Sequence, residues 1–191
     1  MEKLIQKGNS DGIYLNNSYD SLDSFISYYH QYNLILKTKP KKLLEIGVGN
    51  NSLSNYLKQN KFNVVTCDFD KDLKPDVVAD IRKLPFKANE FDTVFAFEVL
   101  EHLPFKYFRV SLSELKRVTK KYVIISIPYV SLNIGGSIKL FPYVKPLNFL
   151  FRYSELWFVS HKFDGAHYWE MGKNPLVEER YNAQLLLQVL R

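Results

Sequence analysis

Between residues 21 and 37 apolar side chains recur at a helical interval, at Leu22, Phe25, Ile26, Tyr29 and Leu36. That spacing predicts a helix over 21–37 with one face turned inward. Pro40 closes it, because proline disfavours helical backbone in the residue before it. The pattern then changes to short apolar runs at 42–46, 62–67, 76–79, 91–97 and 122–127, rich in β-branched and aromatic residues. Runs of this length and composition predict strands. Between the first two, the stretch 52–58 places Leu53, Tyr56 and Leu57 on one helical face; between the fourth and fifth, 105–118 does the same with Phe108, Leu112 and Leu115. Apolar strands alternating with helices predict an α/β fold, a doubly wound, mainly parallel sheet covered on both faces. Residues 1–20, with Gly8, Gly12 and many Asn and Ser, read as an irregular lead-in.

Four of the five runs are followed by glycine or a carboxylate: Gly47, Asp68, Asp80 and Glu98. Ligands of open parallel sheets bind at the carboxyl ends of the strands, so these four residues are expected around one crevice. The first turn reads Gly47-Val48-Gly49-Asn50-Asn51-Ser52. Glycines there allow backbone to approach a ligand where a Cβ would clash, and the helix that begins near Ser52 turns free N–H groups toward the same place. Asp68 follows about 20 residues on, where a carboxylate can accept from both hydroxyls of a ribose.

Dinucleotide enzymes and class I S-adenosylmethionine (SAM)-dependent methyltransferases share this arrangement. Three features separate them. A dinucleotide fingerprint has glycine where this chain has Ser52. Glu45 is a charge inside an apolar strand, costly without a partner; a ligand bearing a sulfonium and an ammonium supplies one and a pyrophosphate does not. The segment from Ala79 to Phe86 puts the acceptor Asp80 beside the apolar Ile81, which suits an adenine amino group and ring face.

Taken together, residues 43–52, Thr66-Cys67-Asp68, 80–86, Phe91-Asp92-Thr93-Val94 and 97–102 resemble a class I SAM-dependent methyltransferase of the methyltransferase domain 11 type, over about residues 40–130. The resemblance implies a Rossmann-like fold and SAM as cofactor. It also implies a cofactor-binding set of Glu45, Gly47, Gly49, Asn50, Asp68, Phe69, Asp80, Ile81 and Phe97. Phe97 and Glu98 would line the methyl-transfer side, with Glu98 and His102 as catalytic candidates and Glu101 beside them. Asn51 stands where relatives often carry a third glycine; asparagine tolerates left-handed backbone. The implied reaction is in-line displacement of methyl from the sulfonium. Positioning of the nucleophile supplies most of the acceleration, and a base is required only for poorly acidic acceptors. No metal is called for.

Length and composition agree with this picture and trim it. A chain of 191 residues, 46% hydrophobic, is long enough to bury a core as a single domain over 1–191, with 1–40 as helical lead-in. The lone Cys67 excludes an internal disulfide or a cysteine zinc cluster. His161, His167 and Glu170 match no standard zinc spacing. No apolar run approaches a membrane span, and the polar start lacks a signal-peptide pattern, so a cytoplasmic protein is expected. The net charge of +6 is uneven, −1 over residues 1–102 and +7 over 103–191. A solvated lysine-rich surface and a face toward something anionic both fit that asymmetry.

Residues 129–163 read as an aromatic and basic insertion, with Phe141, Tyr143, Phe149, Phe151, Tyr153, Trp157 and Phe158 among its aromatics. A substrate lid, a dimer surface, an anionic-membrane patch and a helical cap over the sheet end all remain open for it. The segment 167–173 resembles a late segment of some relatives, either over the acceptor pocket or in packing. Methyltransferases of this class usually close the sheet with two further strands. Residues 184–190 are too few for them, which predicts a sheet without the usual last strands.

The acceptor stays open: small or lipid-like molecules fit the aromatic insertion, nucleic acid fits the basic half. The lack of an Asn/Asp-Pro-Pro-Tyr motif after the fourth strand and of a Pro-Cys motif argues against the usual amine and cytosine-C5 nucleic-acid methylases. Two other readings are carried alongside, a catalytically degenerate SAM-binding or protein-interaction module and a nicotinamide oxidoreductase.

Overall fold

The computed structural model describes residues 21–127, 132–138 and 147–153. The chain divides into two compact units, with the boundary after Ile127. In the first, α1 (Leu22–Lys37) leads into β1 (Lys42–Ile46), α2 (Ser52–Gln59), β2 (Asn63–Asp68), β3 (Val77–Val78), β4 (Phe91–Phe97), α3 (Phe108–Val118) and β5 (Thr119–Ser126). The strands form one sheet in the order β3-β2-β1-β4-β5, every neighbouring pair parallel. The order reverses beside β1, which is where an open parallel sheet leaves its crevice.

Alternation along the strands assigns the layers. Leu43 of β1, Val64 of β2 and Phe95 of β4 cluster with Ile35 of α1 and with Leu53 and Leu57 of α2. Each fully buried aliphatic side chain in such a cluster contributes about 1.5–3 kcal/mol. α3 buries Phe108, Ser111, Leu115 and Val118, packs against β4 and β5, and contributes no side chain to that cluster.

Two helical faces differ from their expected form. On α2, Leu53 and Leu57 are buried but Tyr56 is exposed and Ser54 takes the inward place. On α1, Leu22, Phe25, Ile26 and Tyr29 are all exposed, and Ile35, absent from the expected face, is its fully buried residue. The helix packs on the core cluster through Ile35 and Tyr32, near its C-terminal end, so periodicity marked an apolar face without marking what covers it. The helical stretch expected over 105–118 opens with a 3-10 turn, Phe105–Tyr107, before α3, and Leu112 is only half-buried. β5 starts three residues earlier than its apolar run, because Thr119 pairs with Phe91 ahead of the bulge between Phe91 and Thr93.

Polar ties hold the carboxyl-side segments. Asp92 accepts from the backbone N–H of Lys41 and Lys42, 3.0 and 2.9 Å, fastening β4 to the start of β1. Arg117 of α3 donates to the Leu84 and Phe86 carbonyls and to Glu114, which in turn accepts from Leu84 N–H at 2.8 Å. The segment after β3 is thereby clamped to α3. Asp76 accepts from Thr66 backbone and hydroxyl and from Lys58, joining β2, α2 and the approach to β3.

In the second unit, β6 (Leu132–Ile138) and β7 (Leu147–Tyr153) form an antiparallel hairpin, with Leu132 opposite Tyr153 and Ile138 opposite Leu147. The helical cap considered for 129–163 is therefore corrected over these residues: alternating aromatic and β-branched positions pair as strands. The lead-in 1–20, the segment 167–173 and the residues 184–190 lie outside the described residues.

Candidate functional site

The turn after β1 is bent by three residues in left-handed backbone: Gly47 at φ 79°, Gly49 at φ 50° and Asn51 at φ 61°. Glycine has no Cβ penalty there, and asparagine has a small one. At Gly47 a Cβ would also run into the Cγ2 methyl of Val99. The glycine therefore lets the β1 turn lie directly against the segment that follows β4.

Asp68, at the end of β2, is buried among these backbone groups. Its Oδ2 accepts from Val48 N–H at 2.9 Å and its Oδ1 from Asp70 N–H at 2.9 Å. Burial outweighs these bonds and leaves the carboxyl above its usual range. Gly47 N–H donates to the Cys67 carbonyl at 2.9 Å, and Ala79 N–H to the Asp68 carbonyl at 2.8 Å. The ends of β1, β2 and β3 are thus stitched into one rim, with Asp68 at its centre. Cys67 is a buried thiol pushed up to about 12 by burial, which keeps it unreactive.

Asn50 holds the turn from its other side. Its Oδ1 accepts from Ser52 N–H at 3.0 Å and from the Tyr28 hydroxyl of α1 at 3.3 Å. Asn51, at the N-cap of α2, uses its side chain on the Leu73 carbonyl instead, at 3.1 Å. Glu45 lies below the turn, 5% exposed. Its Oε2 has no hydrogen-bond partner among the described residues. Burial pushes this carboxyl up to about 8, against the pull of Ser54 and Lys58.

The next carboxylate is engaged differently. Asp80 forms a two-point ion pair with the guanidinium of Arg82, whose plane lies over the Tyr107 ring at 4.6 Å. Burial works against the charge of Asp80, but Arg82 overrides it and holds the carboxyl below the usual range. Ile81 is buried behind it, whereas Phe69 is half exposed, beside Asp68.

On the β4 side, Phe97 tilts against Phe95, ring centres 5.4 Å apart. Glu98 follows in left-handed backbone, φ 53°. Its Oε1 accepts from the Ser126 hydroxyl at 2.6 Å, and its own N–H donates back to that hydroxyl at 3.1 Å. Leu100, Glu101 and His102 form one 3-10 turn in which Glu101 is fully buried and His102 half-buried.

Of the sequence candidates, Glu45, Gly47, Gly49, Asn50 and Asp68 are bound into one substructure. Asp80 joins it through Ala79, and Glu98 comes within one residue of it through the Gly47–Val99 approach. Ser54, Tyr28, Arg82 and Ser126 were not among the candidates. Ser54 had a legible signal, a polar residue next to Leu53 on the inward face of a short helix. Ser126 had one too, since it ends β5 as Glu98 ends β4. Among the described residues no cluster of metal-ligating side chains occurs, and no helix is long and apolar enough to cross a membrane.

With this geometry in view, the fold is Rossmann-like, of the kind found in a solved SAM-dependent methyltransferase. Residues 44–127, a little under half of the chain, match the family model described as a methyltransferase domain. Among solved structures, a candidate S-adenosyl-L-methionine-dependent methyltransferase from Methanococcus maripaludis is 16% identical with a TM-score of 0.51, over 65% of this chain and 67% of that one. Magnesium protoporphyrin IX methyltransferase of Synechocystis PCC 6803, solved with bound SAM, is 20% identical with a TM-score of 0.47, over 53% of this chain and 57% of that one. The PH0226 protein of Pyrococcus horikoshii OT3 is 23% identical with a TM-score of 0.45, over 54% of this chain and 53% of that one. The chain thus spans little more than half the length of these last two. No curated protein matches it.

Proposed function

We propose that the protein is a SAM-dependent methyltransferase that transfers methyl to an acceptor still to be identified. The observation that carries the reading is the buried Glu45 with one unpartnered oxygen beneath a left-handed glycine turn whose rim is built on Asp68. A buried carboxylate oxygen without a partner is costly, and an ammonium group is the partner it lacks.

In this reading Glu45, Gly47, Gly49 and Asn50 hold the amino-acid end of the cofactor. Asp68 retains lone pairs beyond its two backbone bonds for ribose hydroxyls. Phe69, half exposed next to it, and Ile81 supply apolar surface for the base. Asp80 would accept from the adenine amino group through lone pairs that its ion pair with Arg82 leaves over. The cofactor supplies an electrophilic methyl on a sulfonium that is already a good leaving group. The chain's task is to orient the nucleophile and exclude water. Phe97 lines that side, and Glu98 accepts a hydrogen bond or a proton from the acceptor, with His102 as a second polar group.

The test is a calorimetric titration with S-adenosylhomocysteine (SAH), with NAD as control. Micromolar binding of the first alone, abolished by Asp68→Ala in a folded sample, is expected. Binding of NAD, or of neither ligand, would overturn the reading. Transfer of labelled methyl from SAM to a fractionated metabolite extract then separates an enzyme from a module that only binds.

A further inference from the structure

Glu45 sits in β1 between Thr66 of β2 and Phe95 of β4, under the apolar side chains that α1 and α2 turn to the sheet. The hydroxyl of Ser54 of α2 is itself buried and donates to the Asn51 carbonyl at 3.2 Å in the same first turn. Charged groups reach Glu45 from two sides: Lys58, one helical turn beyond Ser54, favours its charge, while Asp68 at the end of β2 and Asp76 before β3 oppose it. From α1, the phenol of Tyr32 packs on the same cluster. Lys58 is already paired with Asp76 at 2.9 Å. A carboxylate so placed is buried, with two acidic neighbours and an orphaned oxygen, and in that setting a carboxyl keeps its proton.

We propose that Glu45 is protonated while the site is empty and releases that proton to solvent when a ligand's ammonium group docks against it. The inference rests on the cofactor reading above and adds to it a coupling between ligand uptake and pH. The balance is simple: Glu45 passes from carboxylic acid to carboxylate, the ligand keeps its ammonium, and one proton goes to the buffer.

The sign follows from linkage. The binding-competent form is the carboxylate, so affinity rises with pH while the empty site is still protonated and levels off once it is not. With the carboxyl raised to about 8, affinity for SAH is expected to climb up to about tenfold per pH unit below that value and to flatten above it.

The probe is SAH, titrated calorimetrically into the whole protein near pH 7 in phosphate and in Tris, whose ionisation heats differ. The wild type is expected to release close to one proton per ligand bound, seen as a heat that changes with the buffer. Glu45→Gln is expected to bind without that difference, and it subtracts any titration of the ligand itself. The wild-type comparison in two buffers decides the matter even if a variant fails to fold. Tight binding with identical heats in both buffers and no pH dependence overturns the proton coupling and leaves the cofactor reading standing. Absence of SAH binding in a folded sample overturns both.

Discussion

Two carboxylates end neighbouring parts of the same rim and are held in opposite ways. Asp68, after β2, is buried and gripped by two backbone N–H groups, from Val48 and Asp70. Glu98, after β4, is exposed and sits in left-handed backbone; its carboxylate is held by the Ser126 hydroxyl of the next strand, and its N–H by that hydroxyl and, at 3.3 Å, the Ser126 carbonyl. Backbone donors are fixed by the fold, so the β1–β2 half of the rim is a rigid part. A side-chain ring around a strained residue adjusts at small cost, so the β4–β5 half can be re-aimed. Under the methyltransferase reading, the rigid half meets the group shared by all members of the class and the adjustable half meets the acceptor.

Four substitutions test that division, from the largest expected effect to the smallest. Gly47→Ala forces a side chain into left-handed backbone and into Val99 at once. A loss of about 3 kcal/mol in denaturant unfolding is expected, together with loss of SAH binding. A stable, binding variant would show that the turn is not rigid.

Glu45→Gln should act through pH. The folded carboxyl is raised from 4.5 to about 8, so the folded state holds more protons than the unfolded chain, and the wild type loses stability as pH rises between those values. Thermal unfolding should show the variant at least as stable as the wild type near pH 9, with the difference shrinking by several kcal/mol toward pH 5. Parallel pH profiles for the two proteins would mean that Glu45 ionises freely in the fold.

Asp68→Ala strips the acceptor from two backbone donors. Its cost should be about 1–3 kcal/mol, less than at Gly47 because the turn keeps its backbone shape. SAH binding disappears with it. Ser126→Ala should be the mildest, under about 1 kcal/mol in unfolding, with SAH affinity unchanged. Loss of SAH binding there would erase the contrast between the two halves, since the β4–β5 side would then be supporting the rigid part.

Much of this fold was legible in the chain. Helical periodicity located α1, α2 and α3, and short apolar runs located β1 to β5, to within a few residues, because burying side chains is a local demand on their order. The placing of Gly47, Asp68, Asp80 and Glu98 at the strand ends was legible too, because a parallel sheet puts every strand's carboxyl end on one edge. The sequence could also mark Glu45 as anomalous, since a charge in an apolar run is visible without coordinates.

Only the tertiary structure decided what each of those groups touches. Gly47 is required by Val99, more than 50 residues on, a steric fact with no local signature. Asp80 has Arg82 as a two-point partner, and the ring of Tyr107 lies under that pair. The exposed α1 face carries the same periodic signal as a buried one, because periodicity records which side is apolar and not what stands opposite. Ser54 and Ser126 are ordinary residues until packing brings each beside a carboxylate. Patterning is written along the chain, whereas partnership depends on contacts between segments that only the folded sheet brings together.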